Sequence, residues 1–155
     1  MNSKINRTLF SWVSIVTLAF MLSCSDDDDV APEPTLYTRL GGVDAISLVV
    51  DKFLTNVASD NAINTRFEAT VANESRLQLL RNNLIDQICA GSGGLCTYKG
   101  KTMLETHTGM NITMDEFNAL VGDLVAALDT YSVPEKEKND LLAILGPMQS
   151  DIVGK

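Results

Sequence analysis

His107 is the one histidine among 155 residues, so any imidazole chemistry in this protein passes through it. One imidazole cannot build a two- or three-histidine zinc or iron site, nor a carboxylate-bridged centre with a histidine from each half. It closes the run Met103-Leu104-Glu105-Thr106-His107. On a helix, residues four apart share a face, so Met103 and His107 point the same way. Gly109 ends that turn, and Met110-Asn111-Ile112-Thr113 leads onward. Two cysteines, Cys89 and Cys96, flank the glycine-rich stretch Ala90 to Leu95. They are expected to close a short disulfide ring, which persists where an exported protein meets an oxidising compartment; the alternative is two free thiols. The stretch between them is no phosphate loop, because it follows a helical pattern and lacks the terminal Gly-Lys-Ser/Thr. No Cys-x-x-Cys-His run exists, so covalent haem attachment of the c type is not indicated.

The elements that must position these groups are helical. Val43, Ile46, Val50, Phe53 and Val57 recur at steps of three and four, one apolar stripe preceded by a tight turn at Gly41-Gly42. A second stripe runs Leu77, Leu80, Leu84, Ile88, with Asn73 placed to cap it. A third runs Phe117, Leu120, Val121, Leu124, Val125, Leu128, and its opening Thr113-Met114-Asp115-Glu116 has capping-box spacing. A fourth runs Leu141, Leu145, Met148, Ile152. Ser132-Val133-Pro134-Glu135 opens it with the same spacing and an early proline, and Pro147 should kink it near its end. Between the second and third stripes, residues 90–112 are punctuated by glycine, with one short helix near Thr102 to Thr106. The pattern predicts an all-α domain. A neutral imidazole presented from a short helix beside apolar stripes is what a haem iron needs on its proximal side.

Composition limits the alternatives. Twelve basic residues against twenty acidic give a net charge of −8, which argues against nucleic acid as a partner. The length suits one domain. Residues 1–23 read as an export signal: Lys4 and Arg7 precede an uncharged apolar run, Leu9 to Leu22, too short for a bilayer-spanning helix. That run ends in Ser23-Cys24 and resembles a bacterial lipoprotein signal, in which the cysteine becomes the lipidated N-terminus; the alternative is an ordinary cleaved signal with Cys24 incidental. Residues 24–35 form an acidic, proline-containing tether. Its four consecutive aspartates, Asp26 to Asp29, resemble the acidic run that directs Bacteroidetes-type lipoproteins to the outer surface. The expected location is therefore a bacterial outer membrane, on the periplasmic or cell-surface side, held by a lipid anchor. The folded domain is expected over 36–155. Processing would leave ten basic and twenty acidic residues, a net charge of −10.

The folded part resembles a group 1 truncated haemoglobin, the short globins of bacteria and protists. The resemblance is carried by Leu36-Tyr37-Thr38-Arg39-Leu40-Gly41-Gly42, by Thr97-Tyr98-Lys99-Gly100-Lys101-Thr102-Met103, by His107-Thr108-Gly109-Met110-Asn111-Ile112-Thr113, by Val133-Pro134, and by Leu145-Gly146-Pro147-Met148 with Asp151-Ile152-Val153. It implies a two-over-two helical sandwich around haem b (iron protoporphyrin IX) with His107 as the proximal iron ligand. It further implies that Phe67 stacks on the porphyrin, that Phe53 forms a pocket wall, and that Tyr98 and Met103 line the haem edge and proximal face. Leu77, Leu120 and Leu145 would be apolar pocket contacts. The family's distal tyrosine is replaced by Leu54, which has no donor. Its distal glutamine position is matched by Arg81, either a charged donor facing the iron or a side chain reaching solvent. A one-residue register change would bring in Leu80 or Asn82 instead.

The function this resemblance implies is reversible binding of oxygen or another diatomic gas. The alternatives are a nitric oxide dioxygenase or peroxide-detoxifying enzyme, which would need a separate reductase, and a non-haem helical interaction module.

Overall fold

The two glycines that precede the first stripe adopt left-handed backbone, Gly41 at φ +90° and Gly42 at φ +76°, a conformation that other residues rarely take. They separate α1 (Leu36–Arg39) from α2 (Gly42–Ser59) in a computed structural model that describes residues 32–155. The segment expected to be an export signal, Cys24 and most of the expected tether lie outside the described residues. Helix α2 buries Ile46, Val49, Val50, Phe53 and Val57. Val43, the first residue of the predicted stripe, is 40% exposed, and Val49 takes its place in the core.

Helix α3 (Asn64–Val71) follows, and nothing in the sequence pattern foretold it. It buries no residue of its own, so it carries no stripe to read. Asn73 caps α4 (Glu74–Gly91), its side-chain oxygen accepting from the Arg76 amide at 3.0 Å. A short α5 (Met103–His107) and α6 (Met114–Thr130) come next, then α7 (Glu135–Leu145) and a 3₁₀ turn, Gly146–Asp151. The capping box expected from Ser132 does not form. Ser132 sits at φ +53°, outside the extended backbone a cap needs, and Pro134 occupies the cap position without a side-chain bond. At Pro147 the chain changes helix type: the α-helix stops at Leu145, and the 3₁₀ turn takes the proline in its first positions, where a missing N–H costs nothing.

Helix α2 packs on both α4 and α6. Between them lies the main core, where Val50 and Val57 of α2, Cys89 of α4, Leu128 of α6 and Leu141 of α7 are almost fully enclosed. Burial of each large aliphatic side chain is worth about 1.5–3 kcal/mol. Arg39 bonds Glu137 at 3.0 Å and pairs with Asp140, tying α1 to α7. A second, smaller cluster of Ile112, Phe117 and Ile152, with Met103, Met110 and Met148 packed against it, lies apart from the main core. Among the described residues the only β-pairing is one parallel bridge, Ile112 with Val153, reinforced by the Gly154 amide on the Ile112 carbonyl at 2.9 Å. The domain is all-α, as the periodicity predicts.

Candidate cofactor site

A five-residue helix cannot hold itself together, because nucleation consumes most of what its few hydrogen bonds return. The sequence supplies α5 with other supports. Thr102 and Glu105 form a reciprocal capping box: the Glu105 amide donates to Thr102 Oγ1 at 3.2 Å, and the Thr102 amide and hydroxyl donate to Glu105 Oε2 at 2.9 and 2.8 Å. Those bonds from Thr102 hold the Glu105 carboxyl below its ordinary range. Gln87 of α4 donates toward the Met103 and Met148 sulfurs at 3.7 and 3.1 Å, linking α4, the start of α5 and the 3₁₀ turn. Gly109, at φ +86°, turns the chain away beyond His107.

His107 is half-buried, and its Nδ1 lies 2.7 Å from the Met103 carbonyl oxygen. A carbonyl only accepts, so Nδ1 carries the proton and donates. In the neutral ring the lone pair then falls on Nε2, and that nitrogen makes no hydrogen bond to any described residue. One ring nitrogen is fixed by the backbone while the other is free to bind a metal. This is the arrangement seen in metal-ligating histidines, where the bond on the far nitrogen orients the ring and raises its basicity.

His107 lines a cleft of about 350 Å³, within the range of small-molecule and cofactor sites. On its own side stand Thr106, Met110, Ile112, Glu116, Phe117, Leu120 and Ile152; facing them are Ile63, Arg66, Phe67 and Thr70 of α3 with its approach, and Arg76, Leu79, Leu80 and Asn83 of α4. The α4 residues fall at steps of three, one and three, one helix face. Leu79 is 62% exposed at this cleft, a large apolar side chain left without a protein partner.

One ion pair crosses between the walls. Arg66 of α3 meets Glu116 in a two-point pair at 2.7 and 3.1 Å, and its third nitrogen donates to the Met110 carbonyl at 2.9 Å. Glu116 also receives the Thr113 amide at 2.8 Å as part of the α6 capping box. The guanidinium first, then that backbone bond, push the Glu116 carboxyl down to about 2.

Of the site residues named from the sequence, Phe67, His107 and Leu120 line the cleft, and so does Leu80, the one-residue register alternative to Arg81. The others are elsewhere. Phe53 is buried in the main core, with Leu54 and Leu145 packed against it. Tyr98 folds back on its own loop, its hydroxyl donating to the Lys101 carbonyl at 2.8 Å, and burial raises its pKa. A Cβ at Gly100 would come within 2.3 Å of that hydroxyl, so a larger residue there would displace the Tyr98 ring. Met103 reaches the second cluster but not the cleft. Leu77 is half-buried and outside the lining. Arg81 is no distal donor in this geometry: both its Nε and Nη2 go to Asp51 of α2, at 2.5 and 2.9 Å. Helix α4 is rotated so that Arg81 faces α2, and Leu79, Leu80 and Asn83 face His107. Cys89 and Cys96 form a disulfide with Cα atoms 5.7 Å apart. The sequence reading missed Arg66 with Glu116, fifty residues apart and invisible to any local pattern. It also missed Arg76, Leu79 and Asn83, which a stripe begun at Arg76 would have collected.

Comparison with known proteins agrees with this geometry. A family model described as bacterial-like globin matches residues 35–153. The group 1 truncated haemoglobin GlbN of Mycolicibacterium paratuberculosis is 30% identical over 122 residues, covering 79% of this chain and 86% of the relative. The group 1 truncated haemoglobin of Tetrahymena pyriformis is 30% identical over 121 residues, covering 78% and 96%. The crystal structure of the Tetrahymena pyriformis truncated haemoglobin in its Fe(III) form superposes with a TM-score of 0.71 at 29% identity, over 79% of this chain and all of that one.

Proposed function

The chain belongs to the bacterial-like globins as a group 1 truncated haemoglobin, and from that membership we propose that His107 Nε2 is the proximal ligand of a haem held in the cleft between α4 and α5. The protein is a haem-binding globin that takes oxygen or another diatomic gas. Haem supplies four ring nitrogens and an iron that accepts one protein ligand and leaves one position for a small gas.

The residues present fit that group. The observation that carries the reading is the His107 tautomer: Nδ1 is spent on the Met103 carbonyl at 2.7 Å, and Nε2 is free at an apolar cleft. Phe67, Leu79, Leu80 and Leu120 offer apolar faces to a flat macrocycle, and cover for the exposed Leu79 comes with it. Arg76 and Thr70 stand on the lining as donors for the carboxylates that such a macrocycle carries; Arg76 is exposed and its side chain makes no ion pair among the described residues. Arg66 is already committed to Glu116 and acts as a brace between the walls.

The test is absorbance. The full chain loaded with haem should show an intense Soret band, and His107→Ala should lose it or hold haem far more weakly. Unchanged haem content in His107→Ala would sink the assignment.

Export and anchoring at Cys24 belong to the same reading. The Cys89–Cys96 disulfide supports it, since such bonds persist in oxidising compartments. The expected mature protein begins at a lipid-modified Cys24, to be checked by mass spectrometry of the membrane fraction; an unmodified, soluble mature form would overturn it. A reductase would be a further partner if the site turned over nitric oxide.

A further inference from the structure

We infer that Gln87 is a positioning residue for His107: its side-chain amide grips the short helix that carries the histidine and thereby sets the strength of the bond on Nδ1. The inference rests on the haem reading above. Leu80, Asn83 and Gln87 follow at steps of three and four, so Gln87 continues the face of α4 that lines the cleft, one turn beyond the lining. There its Nε2 meets the sulfur of Met148 at 3.1 Å and that of Met103 at 3.7 Å. A thioether sulfur only accepts, and an amide NH2 has two hydrogens, one for each sulfur. Met148 belongs to the 3₁₀ turn and Met103 is the first residue of α5. Helix α5 buries none of its residues and packs on that 3₁₀ turn. No other side-chain hydrogen bond joins α4 to α5 among the described residues. Beyond His107 the chain is held separately, by Arg66 on the Met110 carbonyl at 2.9 Å. Gln87 stands half-buried beside methionines that pack on Ile112, Phe117 and Ile152. Leucine or methionine would fill that space without the cost of withdrawing an amide from water, so the polar group there calls for a role.

That role follows from the two ends of Met103. Its sulfur accepts from Gln87, and its carbonyl oxygen accepts from His107 Nδ1 at 2.7 Å. An imidazole that donates a firm bond from Nδ1 carries more electron density on Nε2 and holds a metal more tightly. The firmness depends on an acceptor that stays in place, and the first turn of a five-residue helix frays unless something outside it intervenes. The capping box secures Thr102 and Glu105. Gln87 secures Met103, and it does so from the helix that forms the facing wall.

The experiment uses the haem-loaded full chain as wild type, Gln87→Met, Met103→Leu and the double variant. Gln87→Met keeps the shape of the side chain and removes its N–H groups. Three quantities are read: the iron–histidine stretch of the ferrous, gas-free form by resonance Raman, solvent exchange of the His107 Nδ1 proton by NMR of the cyanide-bound ferric form, and the rate of haem transfer to excess apomyoglobin. In Gln87→Met the stretch should move to lower frequency, the Nδ1 proton should exchange faster, and haem should leave about fivefold faster, the size expected for one modest hydrogen bond. Met103→Leu should move all three the same way. The double variant should be little worse than Gln87→Met alone, because the two residues act through one contact. Should Gln87→Met not fold, Met148→Leu, which deletes the nearer sulfur, takes its place and should shift the stretch in the same direction. Faster haem loss with the stretch and the Nδ1 exchange unchanged would mean that Gln87 only fills space, and would overturn the proposal. Fully additive effects in the double variant would overturn it as well. With the Soret band intact those outcomes strike Gln87 alone. Failure of the wild-type chain to take up haem strikes the haem reading and this inference together.

Discussion

The two walls of the cleft are built on opposite plans. The wall that carries His107 is fixed by polar bonds at nearly every joint: a capping box at Thr102, another at Thr113, the Nδ1 bond to Met103, and the Arg66–Glu116 brace. The facing wall is a helix surface of Leu79, Leu80 and Asn83, set by how α4 rolls against α2. The first plan places His107 mainly through contacts of three or four residues' reach, so its geometry survives change elsewhere. The second leaves the facing side adjustable, since a small roll or a single substitution exchanges its chemistry without disturbing His107.

Changes to the two walls should therefore differ in kind. The largest effect is expected from His107→Ala, which removes the cofactor itself. Glu116→Gln comes next and acts on the brace. A carboxyl held at about 2 when folded and near 4.5 when unfolded adds stability that is full above about pH 4.5 and is lost as pH falls toward 2. Urea midpoints of the wild type should fall across that window, while those of Glu116→Gln should start lower and fall less; parallel slopes would show that the pair does not carry acid sensitivity. The smallest effect is expected from Arg81→Met. Its pair with Asp51 is partly exposed and worth at most about 1 kcal/mol, and oxygen and carbon monoxide rates should not move. A changed oxygen rate would mean that Arg81 reaches the ligand and that the two plans are less separate than the geometry says.

The same contrast decides what is legible in the chain. His107, the short helix before it and the Thr113 box are local signals, three or four residues long, and the structure realises them. The disulfide needs only two cysteines around one short loop. The α4 wall is harder to read, because the stripe Leu77, Leu80, Leu84, Ile88 mixes the face toward α2 with the face toward the cleft. Which face Arg81 joins depends on Asp51, thirty residues away on another helix. Phe53 and Leu54 fall at pocket positions by resemblance but serve the main core, and apolar character alone cannot tell those destinies apart. Helix α3 leaves no stripe in the sequence since it buries none of its residues.

The Cys89–Cys96 ring has a consequence for how this chain can drift in length. The ring closes over seven positions and ends beside Leu95, which stands wholly in solvent. An insertion at that tip is contained, because both ends of the ring are pinned to one covalent bond and Cys89 is itself locked in the core. Residues added after Cys96 meet no such barrier and would shift Thr102, its cap and His107 with them. Length variation should accordingly collect inside the ring, and the count from Cys96 to His107 should hold.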